Sequence, residues 1–267
     1  MSAVKKTAFR LPRFSPFEWA AIIISLVIAC LLLLDPLVFG VVRQFNPEVR
    51  GFFRSFTDLG KAGWILIPSG IAIAVLLGLR QRKIGWRKRA AYGYGAQLLA
   101  FLFAAVAGAS VLGALIKNTL GRARPKLYDQ LGSLDFHPFA YTADFASFPS
   151  GHATTICALA AALAILWPRG RVFLFVVAAW IAATRFLIGA HYFSDAVAGG
   201  FLGAGFALLL RDRMADRRWV FERQADGTIA LRGRRILTWI STKLRQEVLQ
   251  RTPIPARLAG SDKPGSG

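Results

Sequence analysis

The sequence predicts an all-α, polytopic membrane protein with six transmembrane helices and both termini in the cytoplasm. Three observations carry this reading. Of 267 residues, 55% are hydrophobic, and they fall in blocks rather than at the spacing of an amphipathic helix. Six blocks approach the roughly 20 residues a helix needs to cross a hydrocarbon core of about 30 Å. Lys and Arg collect in alternate connections, as they do in short cytoplasmic loops.

The first span runs from about Phe17 to Leu34. Lys5, Lys6, Arg10 and Arg13 precede it as in a secretory signal, but it stops at Asp35-Pro36 without a small-residue cleavage pattern, so it is read as retained. The second covers Ala62 to Leu79, with Pro68 and Gly70 as candidate kinks, and the third Ala90 to Ile116, closed by Lys117. Ala153 to Trp167 and Val172 to Ile188 form the fourth and fifth. The sixth, Ala196 to Leu210, carries Gly199 and Gly203 at the spacing that lets helices pack closely. The basic amino terminus, the Arg80–Arg89 cluster and the tail opening at Arg211 fall on one side of this arrangement, which places both termini in the cytoplasm. The loops between spans three and four and between five and six then face outward.

Residues 1–210 read as one membrane domain and 211–267 as a basic cytoplasmic tail. In the tail, Asp226-Gly227 suggests a hairpin turn between Trp219–Arg223 and Thr228–Arg232. An amphipathic helix is expected over Ile236–Leu249 and disorder over Ser261–Gly267. The net charge of +20, from 34 Lys and Arg against 14 Asp and Glu, sits between and after apolar blocks. Anionic lipid headgroups at the tail are therefore the expected partner, and nucleic acid is not. Cys30 and Cys157 lie inside apolar runs, which excludes a disulfide framework or thiolate metal site.

Three clusters carry the chemistry, all in the outward loops or the helix ends beside them. They are Lys117 to Pro125, with Arg122 and Arg124 inside it; Pro149-Ser150-Gly151-His152; and Thr184-Arg185 followed by His191 and Asp195. Lys117, Arg124 and Arg185 are three cations at one membrane face, and a guanidinium fork matches phosphate oxygens in pairs. Ser150 and Gly151 open a helix whose positive end can face the same anion. His191 and Asp195 would share a face if that segment is helical. A carboxylate bonded to one ring nitrogen would fix the tautomer and leave the other free as nucleophile. His152 could then protonate the leaving group. Asp129, Asp135 and Asp144 are scattered and make no metal-ligand cluster, so no cofactor is expected. Arg122, Lys126 and His137 read as ordinary loop residues, and Trp64 as an interface residue.

Lys-x6-Arg-Pro, Pro-Ser-Gly-His and Arg-x5-His-x3-Asp, in that order on six spans, resemble the three-part signature of the type 2 phosphatidic acid phosphatase (PAP2) family of membrane lipid phosphatases. That family is related to vanadium haloperoxidases. The resemblance implies a helical bundle, no metal, and a phosphohistidine intermediate. It makes His191 the nucleophile, Asp195 its orienting partner and His152 the acid, with Lys117, Arg124, Ser150, Gly151 and Arg185 as the phosphate cradle. One departure is Thr184, where the family usually has Ser. The expected substrate is a bacterial envelope lipid presented at the periplasmic face of the inner membrane: undecaprenyl pyrophosphate, phosphatidylglycerol phosphate, phosphatidic acid or lipid A 1-phosphate. The competing reading is a non-catalytic transporter or anion-binding scaffold. A transporter would carry its binding groups near the membrane midplane, whereas these lie at span ends.

Overall fold

A computed structural model describes residues 15–233, together with Thr238 and Thr242. The basic amino terminus, the expected helix over Ile236–Leu249 and the last residues lie outside that range. Five helical stretches are long and apolar enough to cross a membrane: Pro16–Val42, Pro47–Gln81, Trp86–Leu120, Pro168–Leu187 and Phe193–Asp216. Their outer surfaces leave Leu33, Ile67, Val172 and Val176 more than 60% exposed. Surfaces this apolar would aggregate in water and belong in lipid.

The first stretch does not end where the sequence suggested. Helix α1 (Pro16–Ala29) starts in a capping box between Ser15 and Glu18 and passes into a π-helical turn (Cys30–Leu34). It continues as α2 (Asp35–Val42). Pro36 brings no backbone N–H, and the widened turn before it absorbs that loss without ending the helix. The turn also sets Asp35 inward, where it is fully buried. A further helix, α3 (Pro47–Thr57), occupies what reads in sequence as plain loop. Asn46 caps it by accepting from the Val49 N–H at 2.9 Å, and Pro47 supplies a first residue with a helical φ.

Backbone contacts divide the chain into two units, residues 1–70 with 100–212 and residues 71–99 with 213–267. In the first, the centre is α7 (Gly151–Leu166), which lies where the fourth span was expected. It has only 16 residues, and its buried side chains are mainly Ala and Thr. A helix about 24 Å long is adequate where protein rather than lipid surrounds it. Ala158 packs with Ile65 of α4 (Gly63–Gln81) and with Val106 and Ala109 of α5 (Trp86–Leu120), and a single helical turn, α6 (Tyr128–Leu131), lies in the loop after α5. Ile156 and Ala160 meet Ala178 and Ile181 of α8 (Arg171–Leu187), and Ala153 meets Ala182 and Ala196 of α9 (Phe193–Asp216).

The glycine pair acts as its spacing suggests. A Cβ on Gly199 would stand 2.5 Å from the Ser150 carbonyl oxygen, and one on Gly203 would overlap the Thr154 carbonyl. Any side chain there would drive α9 away from α7. These are the two helices whose first turns carry Gly151 and His152 of the second motif and Asp195 of the third.

In the second unit, α4 and α5 meet where Leu76 lies against Gly95. The short strands β1 (Phe221–Arg223) and β2 (Ile229–Leu231) pair antiparallel through a turn at Gly227, whose φ is +81°. Asp226 accepts from the Thr228 N–H within that turn.

Candidate active site

All three motifs come together in the first unit. Lys117 lies in the last turn of α5, and the following loop returns Arg124 to within electrostatic reach of it. Ser150 is the N-cap of α7, and Arg185 lies in the last turn of α8. His191 sits in the turn between α8 and α9, its N–H bonded to the Arg185 carbonyl at 3.2 Å. It therefore precedes the helix, and only Asp195 stands in the first turn of α9. A Cβ on Gly151 would be 3.7 Å from Lys117 Nζ. His152 lies within electrostatic reach of Arg185, His191 and Lys117.

The hydrogen bonding of His191 differs from expectation. Its Nδ1 stands 2.8 Å from the Ser147 carbonyl oxygen but 3.6 Å from Asp195 Oδ2. The second distance is too long for a hydrogen bond. A carbonyl can only accept, so Nδ1 carries the proton and Nε2 keeps its lone pair. Asp195 acts one step behind. Its Oδ2 accepts from Ser147 Oγ at 2.5 Å and from the Tyr192 N–H at 2.9 Å, which fixes the residue that holds the imidazole. Asp195 remains near enough to stabilise positive charge arising on the ring.

Asp195 is held in turn by Arg122, a residue the sequence suggested was solvated. Arg122 is 0% exposed. Its Nη1 donates to Asp195 Oδ1 at 2.6 Å and to Ser194 Oγ at 2.8 Å, and its Nη2 donates to Asp35 Oδ2 at 2.7 Å. Nε and Nη2 also reach the Ser133 carbonyl, and the Tyr192 ring covers the guanidinium at 4.2 Å. Asp35 accepts from the Ser194 N–H and Oγ as well. One cation thus satisfies two buried carboxylates drawn from α2 and α9. Asp35, Ser147, Ser194 and Thr57 were all missed in sequence. Asp35-Pro36 reads as a helix stop and Thr57 as loop; a charged residue inside an apolar run was the available signal for Asp35.

The cradle residues show the complementary feature. Arg124 Nε, Arg185 Nε and Ser150 Oγ are buried and have no hydrogen-bond partner. Such atoms are costly unless something fills them. Arg185 is otherwise held by Thr57 Oγ1 at the end of α3, and among the described residues the Arg124 side chain donates only to the Ala146 carbonyl, at 3.5 Å. Burial holds the Arg124 guanidinium below its usual value, against the pull of Asp195 and Asp144. Thr184 turns its hydroxyl back to the Ile181 carbonyl at 2.7 Å and toward Thr57. Each of the scattered acids has a basic partner: Asp129 pairs with Arg43, Asp135 with His137 and Asp144 with Lys126. Among the described residues no group of three His, Cys, Asp or Glu is placed to hold a metal.

Burial pushes the His191 imidazole down to about 4, even though Asp195 favours its charged form. Protonation would block Nε2. Single-turnover phosphoryl transfer should therefore fall as pH drops through about 4 and stay level from there to neutrality, as far as His191 controls it. A pH-jump quench series measures this, and a His191-dependent break near the ordinary 6.5 would contradict it.

The chain is similar to known proteins. The profile of the PAP2 superfamily matches residues 97–219. A lipid A 1-phosphatase of Rhizobium etli is 36% identical over 221 residues, which cover 79% of this chain and 92% of that protein. One from Rhizobium johnstonii is 34% identical, covering 79% and 87%. The crystal structure of a transmembrane PAP2-type phosphatidylglycerolphosphate phosphatase from Bacillus subtilis superposes with a TM-score of 0.51 at 19% identity, over 77% of this chain and 98% of that one. This likeness concerns the fold. With two relatives above 30% identity across most of its length, the chain belongs to the PAP2 superfamily and is a membrane-embedded lipid phosphatase.

Proposed function

We propose that the chain removes the 1-phosphate of lipid A, or of a closely similar phosphorylated glycolipid, at the periplasmic face of the inner membrane, through a phosphohistidine on His191. The observation that carries the phosphate cradle is the set of unpartnered buried donors on Arg124, Arg185 and Ser150 around one histidine. The glycolipid assignment rests on the two relatives, both called lipid A 1-phosphatases. Six spans with both termini cytoplasmic remain the proposed topology, with the short α7 as the fourth. This sets the motif loops toward the periplasm.

The mechanism follows from the bonds at each nitrogen. Lys117, Arg124, Arg185 and Ser150 Oγ bind the phosphate oxygens and neutralise charge that grows in transfer. His191 Nε2 attacks phosphorus while Nδ1–H stays on the Ser147 carbonyl. The P–O bond to the sugar breaks, and His152 gives the departing oxygen its proton. The substrate dianion supplies the counter-charge that a protonated His152 needs among these cations. The new N–P bond leaves positive charge on the ring, opposite Asp195. Water then attacks phosphorus with His152 as base, releasing phosphate and free His191. No step calls on a divalent ion.

Purified protein in detergent containing a chelator, offered lipid A, phosphatidylglycerol phosphate, phosphatidic acid and undecaprenyl pyrophosphate, tests the reading. Phosphate release from lipid A should exceed the others in kcat/KM and survive chelation. Preference for another lipid would reassign the substrate, and recovery only on adding a divalent ion would overturn the metal-free mechanism.

A further inference from the structure

The second unit carries an open cavity of about 490 Å3 that the catalytic chemistry does not use. Four guanidinium groups border it: Arg80 at the end of α4, Arg89 in the first turn of α5, Arg218 after α9, and Arg232 after β2. Arg80 lies along α5 because residue 93 is Gly; a Cβ there would stand 3.3 Å from Arg80 Nε. Arg232 is positioned by donating to the Arg218 carbonyl.

None of the four pairs with a carboxylate among the described residues. The described acids of this unit are engaged elsewhere: Asp216 pairs with Arg223 at 3.0 Å, Glu222 accepts from Gln224 Nε2, and Asp226 accepts from the Thr228 N–H. By sequence, the chain beyond Gly233 holds only Glu247 and Asp262 as acids, against many more Lys and Arg. A second observation points into the same space. Tyr94 borders the cavity, is 6% exposed, and its hydroxyl has no hydrogen-bond partner. Several cations and a buried donor without an acceptor call for a compact anion with several oxygens.

The surroundings select a lipid over a free ion. The walls are the ends of two apolar helices, where headgroups lie. The rings of Trp86 and Trp219, 74% and 49% exposed, also border the cavity, and indole favours that depth. The charge asymmetry of the sequence assigns these segments to the cytoplasmic side, where anionic lipid attracts clustered arginines.

We propose that this cavity seats the phosphate of an anionic glycerophospholipid of the inner leaflet, with Arg80, Arg89, Arg218 and Arg232 around its oxygens and Tyr94 donating to one of them.

Native mass spectrometry of the full chain in neutral detergent, titrated with phosphatidylglycerol or phosphatidylcholine, tests it. The wild type should retain phosphatidylglycerol in preference to phosphatidylcholine. The Arg80→Ala/Arg89→Ala variant should need about tenfold more phosphatidylglycerol for equal occupancy, with phosphatidylcholine unchanged. Tyr94→Phe, a smaller change, should weaken retention about threefold. Detergent-phase phosphatase turnover should be the same in all three proteins, which shows that the variants fold. Equal phosphatidylglycerol retention by wild type and both variants would overturn the proposal, as would equal retention of the two lipids by the wild type. Displacement of the lipid by millimolar inorganic phosphate would overturn the lipid assignment and make the ligand a free anion.

Discussion

His191→Ala is expected to lower turnover by about 10,000-fold or more, because it deletes the atom that bonds to phosphorus. The loss should fall on kcat with little change in substrate binding, since the cations that grip phosphate stay in place. Folding should survive, for the imidazole makes a single hydrogen bond to Ser147. Phosphate release and thermal unfolding, measured on the same preparation, separate the two effects. An active His191→Ala protein would remove the residue from the nucleophilic role, while an unfolded one would mean that the Ser147 contact holds the loop.

The second large effect is expected at Arg122, and on stability as well as rate. Arg122→Ala leaves Asp35 and Asp195 buried without their shared cation, a loss of about 3–5 kcal/mol. Asp195 would no longer be fixed behind Ser147, so the His191 ring would lose its orientation and kcat should fall. Arg122→Lys keeps the charge but cannot reach Asp35, Asp195 and Ser133 together, because one ammonium does not reproduce a planar fork. It should recover part of the stability and little of the rate. Unfolding by SDS titration beside kcat measures both. A solvated loop arginine would give changes near zero in each, and that outcome would contradict the buried network.

Much of this was legible in the sequence because apolar blocks and phosphate chemistry each leave local marks. The span Ala62–Leu79 matches the observed helix Gly63–Gln81 to within two residues at each end, and Ala90–Ile116 lies inside Trp86–Leu120, which extends four residues beyond it at each end. The three motifs converge because Gly199 and Gly203 draw α9 onto α7, and that spacing is visible in the sequence. Other features were hidden for physical reasons. Asp35-Pro36 resembles a helix stop, since a π-turn that passes a proline has no sequence mark of its own. Arg122 resembles loop charge because its partners are 87 and 73 residues away. Spacing suggested a direct His191–Asp195 bond, but the three-dimensional course of the 121–150 loop inserts the Ser147 carbonyl instead. The shortness of α7 reflects its enclosure by other helices, which hydropathy does not report.

During turnover His191 Nε2 is expected to become covalently bonded to phosphorus in a cradle of buried cations. Acid-sensitive, alkali-stable label from a 32P-labelled lipid phosphate, trapped by rapid alkaline quench and located by peptide mass spectrometry, addresses it directly. One phosphoryl group is expected, on His191, formed and lost at rates compatible with turnover and absent in His191→Ala. Label on His152 instead, or full turnover with no labelled histidine at any quench time, would contradict it.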